Sequence, residues 1–140
     1  MLIVSTTLQP SPIHGLGCFT SRRIRRGEVV WIFDPRIDVR LPVSALPALP
    51  EPARAFFDHY GYVDMQRGER VVTLCADNAK HMNHSDSPNV VNGEDGDGVE
   101  TNVAARDIEA GEELTCDYYS FDLDAARKLG RRLIASSISR

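Results

Sequence analysis

Apolar residues in this chain come in short runs, and glycine or proline stops each run within a few positions. LIVSTTL (2–8), EVVWIF (28–33), YVDM (62–65), RVVTLCA (70–76), NVVN (89–92), VETNVAA (99–105) and ELTCDYY (113–119) are all of this kind. Runs of four to eight residues rich in β-branched and aromatic side chains, bounded by turn formers, make strands. NGEDGDG (92–98) is glycine-rich enough to serve as a hairpin loop between two of them. The expectation is a mainly β fold with short helices, in several small sheets.

Two helices are expected. LPVSALPALPEP (41–52) carries Pro42, Pro47, Pro50 and Pro52, too many for a regular helix, so it reads as an irregular crossing. ARAFFDHY (53–60) follows, with Pro52 suited to a first helical turn and Gly61 to a stop. In DLDAARKLGRRLIASS (122–137), Leu123, Ala126, Leu129, Leu133 and Ile134 fall at helical spacing, behind Asp122 or Asp124 as a cap. That predicts a closing amphipathic helix whose other face exposes Arg127, Lys128, Arg131 and Arg132.

With 140 residues, one domain spanning 1–140 is expected, and 42% hydrophobic and 26% charged residues are ordinary for a soluble globular chain. A net charge of −4 argues against a general nucleic-acid-coating surface and favours basic or neutral partners. No run has the length of a membrane span and no secretory signal is recognisable, so the expected compartment is cytoplasmic. Cys18, Cys75 and Cys116 are too far apart for a disulfide framework or a zinc cluster and read as free thiols.

Three motifs stand out, each ambiguous alone. Gly15 and Gly17, in HGLGCFTSRRIRRGEVV, allow a tight turn or a close backbone approach to a ligand. HMNHSDSPNV (81–90) contains a glycosylation sequon at Asn83. It also offers a metal set of His81 and His84 with Cys75 or Asp86, or simply a polar loop. GEELTCDYYSF (111–121) places Asp117, Tyr118 and Tyr119 at the end of a strand-like run. Together and in this order, GLGCFTSRRIRRGE, NHSDSPN and GEELTCDY resemble the SET-domain protein lysine methyltransferases, from about residue 13 to 121.

The resemblance implies a SET fold of several small sheets, in which the Asn-His-Ser segment and the C-terminal segment pass through one another as a pseudoknot. It implies S-adenosylmethionine as methyl donor, S-adenosylhomocysteine as product and no metal. Gly15, Leu16 and Gly17 would line the cofactor, and Asn83 and His84 would hold its amino-acid and adenine parts. Lys80 would lie near its carboxylate and Phe121 near its adenine. Tyr118 would stand beside the transferring methyl group, with Tyr62 as a second channel tyrosine, Tyr60 as its substitute, and Cys116 in the lysine channel.

The acceptor would be a lysine ε-amine of a protein, histone-like or otherwise basic, steered by the acidic GEDGDG loop. Two departures from the family pattern matter. Cys116 stands where many members carry Phe or Tyr, and no cysteine-rich zinc segment follows Tyr118, so the C-terminal helix or a second copy of the chain would complete the channel. The alternative is a non-catalytic SET-like module that binds peptide or cofactor.

Overall fold

The structure, a computed structural model, describes residues 1–93 and 98–130 of the chain. Its strands form four small sheets among the described residues. β1 (Thr6–Pro10) and β2 (Leu16–Thr20) make an antiparallel pair, in which Gln9 faces Gly17. β3 (Val29–Ile32) pairs with β9 (Thr101–Ala104), which also pairs with β8 (Val90–Asn92). The expected hairpin around Asn92–Gly98 thus joins β8 to β9, although residues 94–97 lie outside the described residues. A third sheet is ordered β4 (Val39–Pro42), β6 (Glu69–Leu74), β5 (Tyr62–Gln66).

The fourth sheet comes from a stretch whose polarity hides it. β7 is only Asn83–His84, and it pairs in parallel with β10, Thr115–Cys116, some thirty residues further on. This pairing lays the Asn-His-Ser segment beside the C-terminal motif, as the resemblance implies for the knot of a SET fold. β10 ends at once because the Asp117 carboxylate accepts the Tyr119 N–H (3.0 Å) and starts a 3-10 turn over Tyr118–Ser120.

Two copies of one turn face each other across the core. Ile24-Arg-Arg-Gly27-Glu28 and Ile108-Glu-Ala-Gly111-Glu112 share the pattern I-x-x-G-E, and Gly27 and Gly111 have φ of +81° and +87°. In each, the glutamate carboxylate accepts the backbone N–H three residues earlier. Ile24 and Ile108 exchange two backbone hydrogen bonds of 2.8 Å and are fully buried. They anchor a core with Val30, Val90, Leu114 and Cys116, on which Tyr118 and Phe121 pack.

The proline-rich crossing is a 3-10 helix over Val43–Ala48, and helix α1 follows at Glu51–Tyr60, two residues earlier than expected. Gly61 ends α1 for a reason other than a left-handed cap. Its backbone is extended, but a Cβ there would lie 2.6 Å from the Phe57 carbonyl oxygen and 2.7 Å from a Val72 methyl.

The closing helix differs most from expectation. Among the described residues α2 spans Ala125–Lys128, and Gly130 has φ +62°, the left-handed backbone common just past a helix. Leu123, expected on the buried face, is 55% exposed, and the inward positions are Asp122 and Ala125. The carboxylate of Asp122 is why: Oδ1 accepts the backbone N–H groups of Val63 (3.1 Å) and Asp124 (2.9 Å), tying the segment to β5. Leu133 and Ile134 lie outside the described residues. No helix among the described residues is long and apolar enough to cross a membrane.

Candidate active site

The glycine loop and the Asn-His-Ser segment are fastened together by one side chain. Asn83 Nδ2 donates to the carbonyls of His14 (3.0 Å) and Leu16 (3.3 Å) and to Glu113 Oε1 (2.9 Å). Gly15, at φ +48°, needs the left-handed region, and its side-chain direction is open space. Gly17 is required on other grounds: a Cβ there would sit 2.2 Å from Glu113 Oε1. Glu113 also accepts the Ser11 hydroxyl at 2.7 Å, so its carboxylate holds Asn83 and the approach to the loop. Nothing in the sequence marks Glu113 as a site residue, because a glutamate beside another in GEEL reads as surface charge.

His84 is almost wholly committed to the protein. Its Nδ1 accepts the Tyr118 backbone N–H at 3.1 Å, so in the neutral ring the proton sits on Nε2, which donates to Asp86 Oδ1 at 2.9 Å. The side chain is buried and its ring packs edge-on against Tyr118, with centroids 5.4 Å apart. His84 therefore sets the position of Tyr118.

Both candidate channel tyrosines spend their protons inside the protein. Tyr118 donates its hydroxyl to the Met82 carbonyl (2.6 Å), and Tyr62 donates to Glu100 (2.8 Å). Glu100 is balanced by Arg40 (2.8 Å), whose guanidinium lies 3.9 Å above the Phe33 ring. Burial pushes both phenols well above their ordinary value, so they stay neutral. Phe121 packs edge-on against both rings.

Two cavities meet along this wall. The larger, about 660 Å³, is bordered by Gly15, Leu16, Lys80, Asn83, His84 and Tyr118, together with His14 and Tyr60. The smaller, about 110 Å³, is lined by Tyr60, Tyr62, Cys116, Tyr118 and Phe121. His59, Tyr60, Lys80, Tyr118 and Lys128 border both.

The SET-domain family model matches residues 15–119. This chain belongs to the SET-domain family. No curated protein sequence matches it. Among solved structures, it resembles a Plasmodium falciparum protein described as a candidate histone methyltransferase, with TM-score 0.57 and 19% identity over 82% of this chain and 93% of that one. It also resembles the Chaetomium thermophilum Polycomb Repressive Complex 2 in an apo autoinhibited state (TM-score 0.64, 20% identity, 91% of this chain). The same complex in an autoinhibited conformation bound to S-adenosylmethionine gives TM-score 0.61 at 20% identity. The match covers only 17% and 16% of those two chains.

Within this SET domain the expected site residues separate by position. Gly15, Leu16, Lys80, Asn83 and His84 lie together on the larger cavity. Gly17 is beside it, under Glu113, and Phe121 is on the smaller cavity, between the tyrosines, where an adenine contact was expected. Tyr62, Tyr118 and Cys116 come together on the smaller cavity, and Tyr60 belongs to both. Cys116 is buried, with its thiol pushed far up by desolvation, which leaves it without thiolate character. His81 stacks edge-on against Tyr60 at 5.3 Å, and among the described residues no group of three or more His, Cys, Asp or Glu could hold a metal ion.

Proposed function

We propose that this SET domain transfers a methyl group from S-adenosylmethionine to the ε-amine of a lysine in a basic protein. The observation that carries the proposal is the pair of cavities with Tyr118 on their common border. The larger has the volume of a small-molecule site, and its mixed wall suits a zwitterionic nucleoside: the Lys80 ammonium, the Asn83 amide oxygen and the open face of Gly15. The smaller is narrow enough to take an extended lysine side chain between Tyr60, Tyr62 and Phe121.

When bound, the cofactor supplies an electrophilic methyl group on a sulfonium. What the protein must supply is a neutral, aimed amine. A free lysine is protonated near pH 7; the aromatic walls of the channel disfavour the ammonium by desolvation, and the two carboxylates that also line it are already matched, Glu100 by Arg40 and Asp122 by Lys128. Tyr118 donates its hydroxyl hydrogen bond to the Met82 carbonyl, so its oxygen turns only lone pairs to the cavity. It can accept an N–H of the amine and hold the nitrogen in line for attack. The same committed proton and raised pKa argue against Tyr118 as a phenolate base. His84 and Asp86 act one step back, keeping Tyr118 in place through its backbone N–H.

The net charge of −4 fits a basic substrate. Incubation with methyl-labelled cofactor and a panel of histones and lysine-rich peptides should place label on lysine, and Tyr118→Phe should abolish it. Label on another residue type, or undiminished transfer by Tyr118→Phe, would overturn the reading.

A further inference from the structure

The sheet of β3, β9 and β8 is apolar at one end of its inner face and polar at the other. Val90 stands opposite Ala104 in the core. Two residues along the same strands, hence on the same face, Asn92 stands opposite Asn102. Trp31 joins that row because β3 is irregular. Val29 pairs with Val103 and Trp31 with Asn102, so two steps along β3 answer one along β9. A bulge of this kind re-aims a side chain, and here it brings Trp31 to the face of Asn102 instead of the face of Val29. All three residues of the row line the smaller cavity, beside Glu100.

The row is polar and uncommitted. Trp31 is 5% exposed, yet its indole N–H has no acceptor among the described residues. The half-buried Asn102 side chain makes no hydrogen bond among the described residues, and Asn92 makes a single long one, 3.5 Å to the Ser120 carbonyl. Buried polar groups are ordinarily paired, and an orphaned donor is destabilising. A bulge that turns such a donor toward a cavity is explained by a ligand that accepts from it.

The chemistry of the row narrows that ligand. Indole only donates, whereas the two asparagine side chains both donate and accept. Glu100 stands beside them, matched by Arg40 and Tyr62. An incoming carboxylate would face Glu100, and an apolar group would leave the indole N–H unpaired. A carboxamide fits, because its oxygen can accept from Trp31 while its NH2 donates to an asparagine oxygen. Resting on the methyltransferase reading above, we propose that Trp31, Asn102 and Asn92 form a subsite for the carboxamide of a substrate asparagine or glutamine close in sequence to the target lysine.

The test uses peptides with a single lysine in a basic frame, carrying Gln, Asn, Leu, Glu or Ala at each of the two positions on either side. With methyl-labelled S-adenosylmethionine, kcat/KM should be about tenfold higher for glutamine or asparagine than for leucine or glutamate at one of these positions. Trp31→Phe, which keeps an aromatic ring and removes the N–H, and Asn102→Leu should each bring that ratio toward one. Trp31 is the chain's only tryptophan, so its fluorescence reads occupancy of the subsite without any methyl transfer. A saturable change is expected with the preferred peptide, at lower concentration than with its leucine counterpart. Equal kcat/KM across the peptides, or a preference that survives Trp31→Phe, would overturn the subsite and leave the proposed function standing. A carboxamide-selective change in emission with no label on any peptide would support the subsite and overturn the methyltransferase reading. A folded chain that shows neither would overturn both.

Discussion

Replacing Gly17 by alanine isolates the contact that organises the larger cavity. The buried Gly17 backbone is outside the left-handed region, so alanine brings no backbone strain, and without a clash the change would even be slightly favourable. The cost is steric. The new methyl would stand 2.2 Å from Glu113 Oε1, 2.8 Å from its Cδ and 3.0 Å from a Phe19 ring carbon. Glu113 is a flexible side chain and must swing away, releasing the Ser11 hydroxyl and the Asn83 amide. Two hydrogen bonds to a charged group, in a half-buried setting, are together worth about 2–3 kcal/mol. For a chain of this size that is roughly 7–10 °C in melting temperature.

A double-mutant cycle separates the clash from any general effect. Glu113→Ala alone should cost a similar amount, and Gly17→Ala added to it should cost under about 0.5 kcal/mol, because nothing but Phe19 remains to be struck. Urea unfolding of the four proteins, with S-adenosylmethionine titrations alongside, reads both stability and the looseness of Asn83. If Gly17→Ala alone is harmless, or if the two changes add, Glu113 does not hold the loop and the reasoning fails.

Other outcomes follow from the same structure. Gly61→Ala pushes a methyl against the Phe57 carbonyl and Val72, where backbone cannot yield, and should cost about 3 kcal/mol by thermal melting; a cost near zero would contradict the packing of α1 on β6. Burial pushes the thiols of Cys18 up to about 11 and Cys75 up to about 12, so the native chain should not react with a thiol reagent at pH 8. Above about pH 9 the unfolded chain binds fewer protons than the folded one at these thiols, so the urea midpoint should fall from there to about pH 11; a rising midpoint would refute the burial. Tyr118→Phe leaves the Met82 carbonyl without its donor and should cost about 1 kcal/mol in urea unfolding; an unchanged midpoint would mean that this bond contributes nothing to the fold.

Much of this was legible from the residues. Strands built on Val29–Ile32, Tyr62–Gln66 and Glu69–Leu74 stand where β-branched runs end in glycine or proline. The three motifs, in order, carried the family. What stayed hidden depends on partners distant in sequence. Asn83–His84 is a strand only because Thr115–Cys116 lies alongside it, and no local propensity encodes that. The expected helix over 122–137 rested on periodicity through Leu123, but the Asp122 carboxylate faces inward to bind Val63 and rotates Leu123 out. Gly17, expected in a turn or along the cofactor, also gives clearance to Glu113, and Phe121, expected near the adenine, borders the smaller cavity beside Tyr62 and Tyr118.

The central claim is that the larger cavity is a cofactor cleft held by Asn83. Titration calorimetry of the chain with S-adenosylmethionine tests it directly. The account predicts one saturable site per chain, weakened in Asn83→Ala while the fold persists by circular dichroism. A folded wild-type sample that takes up no cofactor, or an Asn83→Ala protein that binds it equally well, would contradict the account.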